Sequence, residues 1–258
     1  MGLFTLRQSR ARRCVERTPQ QRNHRLVRAL LAWVSAPIAS LCAYAGPTDA
    51  NLNEVKTTAK ANGVFLRAPA KDWAFDVYRN GKLFGYHRLQ FAPTEGGMNV
   101  TISVRLEVKL GPIQAFYYRL SCREAWQQTR LQSLQCQTRK DGKDLVNETK
   151  ASATGLRVKS TAYSGALDPN ILPTSWWNEE TVRVRRLMSS EDGEVLDVRP
   201  ILRGEEDLEI RGKKVRAKHY HIDARLPLDI WYDEHGRWVK LAFVTQNQRI
   251  EYRLSSPL

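Results

Sequence analysis

The sequence predicts an all-β protein, built as an antiparallel β barrel or half-barrel of about eleven strands with little helix. Residues 98–109 alternate strictly between apolar and polar side chains, which is the period of a strand with one buried face. Asn80-Gly81 separates two runs rich in β-forming residues and favours a tight hairpin turn. The other candidate strands follow at hairpin spacing without alternating helices, so we expect a long antiparallel sheet that curls to protect its edges.

The elements are predicted in the following order. Seven strands come first, over 73–79, 82–87, 98–109, 114–126, 131–138, 143–151 and 155–163. Residues 164–175 predict a loop because they contain Pro169 and Pro173, and 175–180 predict one helical turn capped by Thr174 or Ser175. Six further strand candidates follow, over 194–203, 206–211, 214–224, 228–233, 237–246 and 248–254. Hairpin turns are expected at Arg211-Gly212 and Glu234-His235-Gly236.

The first 45 residues have the three parts of a secretory signal. Residues 1–30 contain eight Arg and one acid, an apolar run covers 30–41, and Ala43-Tyr44-Ala45 forms a cleavage site. The apolar run is too short to cross a bilayer. We therefore predict a signal peptide over 1–45 with cleavage after Ala45, a leader segment over 46–71, and a single β domain over 72–258. The mature chain is expected in the periplasm or secreted, without a transmembrane segment.

Two other export routes remain open at this stage. Cys42 would be the site of lipidation, although Leu41 stands where that signal needs a small residue. Arg12-Arg13 would begin a twin-arginine signal, although the pair lies far from the apolar run.

Cleavage would halve the formal net charge. The chain carries 41 basic and 27 acidic residues, a net charge of +14, and removing eight of the former and one of the latter leaves 33 minus 26, or +7. A basic surface, including the cluster of Arg183, Arg185 and Arg186, suits either an anionic membrane surface or plain solvation. Nucleic acid is not an expected partner of an exported chain.

Two cysteines remain after cleavage, Cys122 and Cys136, and an even number favours a disulfide in an oxidising compartment. A turn near Gln128-Thr129 would place them opposite each other on the strands 114–126 and 131–138. Two free buried thiols are the alternative. The spacing excludes a CxxC redox site.

The familiar catalytic and cofactor motifs are absent: GxSxG, HExxH, the P-loop and GxGxxG. We therefore predict no cofactor and assign no catalytic or metal-binding residue. His219, His221 and Asp223 share one face of a strand, which fits either a metal site or a solvent-facing polar stripe.

Candidate ligand-binding residues come from buried polar groups and aromatic side chains: Tyr86, His87, Tyr118, Glu124, Trp126, Trp176, Trp177 and Trp231. His87 would orient a head group, act as a base, or make one structural hydrogen bond. Glu124, on the same strand face as Trp126, needs a partner if buried, and Arg119 or Arg88 would supply one. Trp176-Trp177 would form a lid over the barrel mouth, while core packing is the alternative for all the tryptophans.

Several stretches resemble one known family when taken together and in order: 75–78, 85–88, 117–119, 124–126, 176–177, 228–233, 236–238 and 252–254. The family comprises secreted bacterial proteins and is defined only as a domain of unknown function, family 6134. The layout is also similar to that of lipoprotein-carrier-like periplasmic half-barrels. The resemblance implies export and a β fold, and it brings no activity or catalytic residues.

Three functions are compatible with these observations. The first is a periplasmic binding or carrier protein for a lipid or other apolar molecule held in the half-barrel. The second is an envelope interaction or assembly factor that binds a protein partner. The third is a hydrolase-type enzyme that uses His87 with Glu124, or the cluster at His219.

Overall fold

The computed structural model describes residues 69–257. The predicted signal peptide, its cleavage site after Ala45 and most of the leader segment lie outside these residues. The domain boundaries stay a prediction.

Most of the described residues belong to one antiparallel sheet of thirteen strands. Its first eight strands form a meander: β1 (Trp73–Arg79), β2 (Lys82–Thr94), β3 (Gly97–Leu110), β4 (Ile113–Gln127), β5 (Arg130–Lys140), β6 (Lys143–Ser152), β7 (Gly155–Ser160) and β8 (Ser164–Leu167). A three-stranded sheet follows: β9 (Leu172–Pro173), β10 (Arg186–Met188) and β11 (Val195–Asp197), with a 3-10 turn at Glu179–Val182. The last five strands are β12 (Arg199–Ile210), β13 (Lys213–Asp223), β14 (Leu228–Asp233), β15 (Trp238–Thr245) and β16 (Gln248–Leu254).

The two meanders join where the last strand pairs with the first, with Leu254 opposite Phe75. The sheet therefore runs from β12 through β16 and β1 to β8. Strands β8 and β12 are its free edges within residues 69–257, so the sheet is an open half-barrel. The predicted closed-barrel alternative is wrong.

The sheet is strongly curved, as one short segment shows. The Trp176 carbonyl accepts a hydrogen bond from Tyr232 on β14, and the neighbouring Trp177 donates to Glu124 on β4. In a flat sheet β14 and β4 would lie about 29 Å apart, because six interstrand spacings of about 4.8 Å separate them. Adjacent residues bridge them only if the sheet curls. We call the side of the sheet that faces this segment the inner face, and residues 168–198 the interior segment.

The alternating pattern at 98–109 places its apolar side on the inner face as predicted. Met98 and Val100 are fully buried, while Asn99 and Thr101 are exposed. The hairpin at Asn80-Gly81 is also confirmed, because both residues adopt the positive φ that a tight hairpin turn requires, 49° and 77°. The turn at Arg211-Gly212 has the same character, with φ of 52° and 73°.

Several boundaries differ from the sequence predictions. There are sixteen strands rather than about eleven among the described residues. Three of them were not predicted: β8 and β9 lie in the predicted loop at 164–175, and β10 follows the 3-10 turn. The predicted strands 194–203 and 206–211 are instead the short β11 and the long β12, whose ladder continues through an irregularity at Gly204. The predicted helical turn begins later, since Asn178 rather than Thr174 or Ser175 caps the 3-10 turn at Glu179–Val182.

Candidate functional site

The predicted ligand-binding residues do not form one site. His87, Tyr118, Glu124 and Trp126 lie on the inner face, and Trp176 and Trp177 belong to the interior segment. Tyr86 and Trp231 lie on the outer face, because they alternate with His87 and Tyr232, which point inward. The inner face itself contains two separate clusters.

The first cluster is centred on Glu124, a residue that is 1% exposed. Its Oε2 accepts hydrogen bonds from Trp126 Nε1 at 2.8 Å and from Trp177 Nε1 at 2.9 Å. We call these three residues the tryptophan clamp. The predicted arginine partner is wrong, since Arg88 and Arg119 are exposed on the outer face and two indoles take the place of a cation.

Burial raises the pKa of Glu124, and the hydrogen bonds from Trp177, Trp126 and Ser175 only partly oppose this effect. A charged carboxylate without a nearby cation is unfavourable in a buried site, so the protonated form is favoured. The clamp therefore joins the interior segment to β4 through a carboxyl group that is poised to be neutral.

Aromatic rings fill the space around the clamp. Trp177 packs edge-on against Trp126 at 5.3 Å and against Phe91 at 5.9 Å, and Phe91 packs against Trp73 at 5.0 Å. Trp177 is 5% exposed and Trp176 is half-buried, so only one ring of the adjacent pair enters the core. Trp176 has a φ of 63°, which is a strained conformation for an aromatic residue. The hydrogen bond from Tyr232 to the Trp176 carbonyl and the one from Trp177 to Glu124 together hold Trp176 in this conformation.

The second cluster lies nearer the other ends of the strands. The strand registers align Tyr252, Val77, Gly85, Leu106 and Tyr118 across five neighbouring strands, from β16 to β4. Gly85 contributes no side chain to this row, and a β-carbon there would lie 2.0 Å from the Arg105 carbonyl oxygen. The close approach of β2 and β3 therefore requires glycine at the centre of the row.

Two phenylalanines border this row. Phe84 and Phe116 are half-buried and their rings stack with centroids 5.5 Å apart. Phe84 is the extra residue at an irregularity in the β1–β2 ladder, between Leu83 and Gly85, and the Arg79 guanidinium lies 5.9 Å from its ring centroid. The row is thus flanked by apolar rings with a cation beside them.

Glu191 of the interior segment reaches the same row. Its carboxylate accepts a hydrogen bond from the Tyr118 hydroxyl at 3.3 Å and pairs with Lys140 Nζ at 3.1 Å. Burial and the nearby Glu191 charge both raise the pKa of Tyr118, and they act on Tyr252 in the same direction. Both tyrosines therefore keep their protons and present neutral hydroxyl groups.

His87 lies two residues after Gly85 on β2, on the same face of the sheet, and is 7% exposed. Its ring contacts Phe75, Trp238 and Tyr252 at centroid distances of 6.1, 5.2 and 5.9 Å. Burial lowers its pKa to about 3, so the imidazole is neutral. His87 Nε2 and Trp238 Nε1 are both buried and have no hydrogen-bond partner within residues 69–257.

We call this second cluster the tyrosine site: Tyr118, Tyr252, Phe84, Phe116 and His87, with Glu191 and Lys140 at its rim. Only His87 and Tyr118 were predicted from the sequence. Phe116 lies two residues before Tyr118 and therefore on the same face of β4, so the sequence could have identified it. The place of Phe84 in the site depends on a ladder irregularity, and that of Glu191 depends on a long-range contact. Neither of the latter has a local sequence signal.

The inner face does not assemble the acid–base pair of the enzyme hypothesis. His87 is opposite Val104 on β3, whereas Glu124 is opposite Val100. Four residues along a strand correspond to about 13 Å. These two side chains are therefore too far apart to act together on one proton.

On the outer face, His219 and His221 lie together as predicted, but their acidic partner is Asp229 on β14. Asp229 Oδ1 lies 2.9 Å from His219 Nε2 and 3.1 Å from His221 Nδ1. Asp223 instead pairs with Arg199 at 2.6 Å, so the predicted triad does not form. Residues 69–257 contain no cluster of three or more side chains with metal-binding geometry.

The two remaining candidates have structural contacts on this face. Trp231 stacks on His219 with centroids 4.3 Å apart, and its indole N–H donates to Glu206. Tyr86 lies beneath the Arg88 guanidinium, 4.6 Å from its ring centroid. Neither ring reaches the inner face, so neither contributes to the clamp or to the tyrosine site.

Cys122 and Cys136 form the predicted disulfide across β4 and β5, with their α-carbons 4.1 Å apart. Both residues are buried on the inner face, and Cys122 lies two residues before Glu124 on β4. The bond fixes the β4–β5 register beneath Glu124. The described part of the chain also has no helix with the length and hydrophobicity needed to cross a bilayer.

Comparison with known structures supports the fold. The chain is similar to a β-barrel-like protein of the domain of unknown function DUF1849 from Brucella abortus, with a TM-score of 0.54 and 10% sequence identity over 72% of this chain and 95% of that one. At this identity the likeness concerns the fold alone. Comparison with curated proteins gives no match. The model of the family described as domain of unknown function DUF6134 matches residues 75–255, and the chain therefore belongs to this family.

Proposed function

We propose that this chain is an exported binding protein that holds an apolar or amphipathic molecule, such as a lipid, in the tyrosine site. The observation that carries the proposal is the set of half-buried aromatic rings around Gly85 on the inner face. Ligand sites are typically concave, mainly apolar surfaces with a few convergent polar groups, and this cluster has that composition.

The rim indicates which end of the molecule faces outward. Lys140 and Arg79 place cationic groups beside the rings of Tyr118 and Phe84. Lys140 is also held by Glu191, so the rim is polar and adjustable rather than purely basic. An amphipathic molecule with an anionic head group would place that group here and its apolar body against Phe84 and Phe116.

The rest of the inner face limits the size of the ligand. The interior segment contacts β4, β6 and β14, and the aromatic rings at the clamp pack against one another. A carrier role with a lumen along the whole half-barrel does not agree with this packing. The proposed ligand therefore occupies one end of the inner face.

Export is part of the proposal. The Cys122–Cys136 bond is typical of an oxidising compartment such as the periplasm, and residues 1–45 have the pattern of a secretory signal. Mass measurement of the protein purified from its own host tests this part. A chain beginning at Gly46 with two hydrogens fewer than the reduced form is expected.

Displacement of the fluorescent amphiphile 1-anilinonaphthalene-8-sulfonate by decanoate tests the binding site. We expect decanoate to displace the dye from the purified protein, and we expect Phe116→Ser to weaken both ligands about tenfold. Leu83→Ser is the matched control, because Leu83 is an exposed apolar residue on β2 of the same sheet. Equal weakening by both substitutions, or no displacement at all, would contradict the proposal.

A further inference from the structure

We propose that the outer face of strands β2–β5 is a docking surface for an anionic phospholipid membrane. Five exposed arginines define this surface, which we call the arginine face: Arg88, Arg105, Arg119, Arg123 and Arg139. They alternate with inner-face residues of the same strands, so they lie on the opposite side of the sheet from the tyrosine site. The inference is therefore independent of the proposed function.

Three of the arginines form one row across neighbouring strands. The ladder registers place Arg105 on β3 opposite Arg119 on β4, and Arg119 opposite Arg139 on β5. Side chains in directly opposite positions have β-carbons about 4.5–5.5 Å apart, and like charges there destabilise an antiparallel pair. The row thus concentrates positive charge in an arrangement that strand pairing alone disfavours.

The arginine face is only partly neutralised by its neighbours. At the two ends of the row, Arg105 pairs with Glu107 at 2.9 Å, and Arg139 pairs with Asp144 at 3.3 Å. The other three arginines have no acidic partner within residues 69–257: Arg88, Arg119 and Arg123. Three positive charges at the centre of the face are therefore available to an external anion.

The far edge of the same sheet shows how a solvated charged face is built. The β12–β13 ladder places acidic side chains directly opposite basic ones in four pairs: Arg199–Asp223, Glu205–Lys218, Asp207–Arg216 and Glu209–Lys214. Opposite charges in these positions stabilise a strand pair, and a mixture of both signs is sufficient for solubility. Plain solvation therefore does not explain the row of like charges on β3–β5, whereas an anionic partner does.

The residue types favour phosphate groups as that partner. A guanidinium group binds phosphate through two parallel hydrogen bonds and is weakly hydrated, which makes arginine well suited to this contact. Ser103 and Ser121 lie opposite each other in the row next to Arg105 and Arg119, and Arg88 is opposite Ser103. Their hydroxyl groups are additional hydrogen-bond donors among the arginines.

The extent of the face favours a membrane over a single small anion. The arginines span β2 to β5, and three interstrand spacings of about 4.8 Å correspond to about 14 Å. A bilayer presents phosphate groups side by side over such a distance. The Tyr86 ring, 4.6 Å from the Arg88 guanidinium, has the amphipathic character of aromatic side chains at membrane–water interfaces. An anionic membrane therefore matches the arginine face in charge, chemistry and extent.

Sedimentation with phospholipid vesicles, using the protein purified from its own host, tests the inference. We expect binding to vesicles that contain phosphatidylglycerol, no binding to pure phosphatidylcholine vesicles, and loss of binding at high salt. Each arginine near an anionic surface contributes about fivefold to the affinity, so the triple variant Arg88→Gln, Arg119→Gln and Arg123→Gln should bind roughly a hundredfold more weakly. Lysine at the same three positions should retain most of the affinity, because the charge is kept.

The matched control is the triple variant Arg183→Gln, Arg185→Gln and Arg186→Gln, which removes the same charge from an exposed cluster in the interior segment. It should change vesicle affinity much less than the first variant, and both variants should keep the wild-type circular dichroism spectrum. Equal losses in the two variants, or no binding of the wild-type protein to phosphatidylglycerol vesicles, would overturn the inference. Binding of soluble tripolyphosphate without binding to vesicles would also overturn it, because the face would then serve a free polyanion.

Discussion

The tryptophan clamp and the tyrosine site lie on the same inner face and contain similar residues, but they differ in how deeply their side chains are buried. In the clamp, one buried carboxylate joins a strand to the interior segment through two indole N–H groups. In the tyrosine site, His87 is buried but the other four rings are half-buried. A fully buried cluster stabilises the fold, whereas a half-buried aromatic cluster is suited to bind a molecule.

The largest expected effect is on the clamp. Glu124→Leu leaves two buried indole N–H groups unpaired and should lower the free energy of unfolding by about 3–5 kcal/mol. Glu124→Gln keeps a carbonyl acceptor and should cost less than about 1 kcal/mol at pH 7. Urea denaturation of both variants measures the difference.

The Gln variant should also gain relative to wild type as the pH rises. The folded pKa of Glu124 is raised, so wild type loses stability as the pH rises above 4.5 and through the folded pKa, while Gln does not titrate. If Leu and Gln were tolerated equally, the clamp would not be a hydrogen-bonded structural element.

The next effect concerns pH and His87. Its folded pKa of about 3 is below the unfolded value of 6.5, so between these values only the unfolded state takes up the proton. Wild type should therefore lose about 3–4 kcal/mol of stability as the pH falls from 7 to 3.5. His87→Leu should remove this part of the pH dependence, and His235→Leu, at an exposed histidine, should not. Equal profiles for wild type and His87→Leu would show that this ring is hydrated or charged in the fold.

Reduction of the disulfide should have a slightly smaller effect. The bond closes a loop with a sequence separation of 14, and its removal should cost about 3 kcal/mol of stability. Thermal unfolding with and without dithiothreitol measures this loss. The double variant Cys122→Ala and Cys136→Ala should not respond to the reductant. If reduction also weakened dye binding by a comparable free energy, the two clusters would not be independent, since the bond lies beside the clamp and not in the tyrosine site.

The smallest expected effect is on the strained residue between the anchors. Trp176→Gly relieves a positive φ but removes a half-buried ring, so stability should change by less than about 1.5 kcal/mol. Circular dichroism melting checks this value. Dye affinity should stay within twofold of wild type, and a large loss would mean that Trp176 belongs to the binding surface, as the predicted lid would require.

Sequence periodicity predicted the parts of the fold that depend on local pattern. The alternation at 98–109, the Asn80-Gly81 turn and the opposition of Cys122 and Cys136 all follow from strand parity and turn chemistry. Strand parity also separates Tyr86 from His87, because adjacent residues point to opposite faces, although both were predicted as one group.

The errors arise where long-range packing decides the outcome. In the run 228–233, Trp231 has the same strand parity as Asp229 and Asp233, which indicates the outer face, but its packing against His219 depends on the neighbouring strand. Glu124 was expected to pair with arginine, and its actual partner Trp177 lies 53 residues away on a segment whose position depends on the curvature of the whole sheet. The edges of the sheet likewise depend on how far it curls, which local propensities do not encode.

Native mass spectrometry of the protein, purified gently from the envelope of its own host, tests the central claim most directly. The wild-type protein should retain a stoichiometric extra mass that extracts into organic solvent as an amphipathic lipid. Phe116→Ser should lose this mass and Leu83→Ser should retain it. A wild-type protein that is folded, oxidised and free of any bound molecule would contradict the assignment of the tyrosine site as a ligand-binding site.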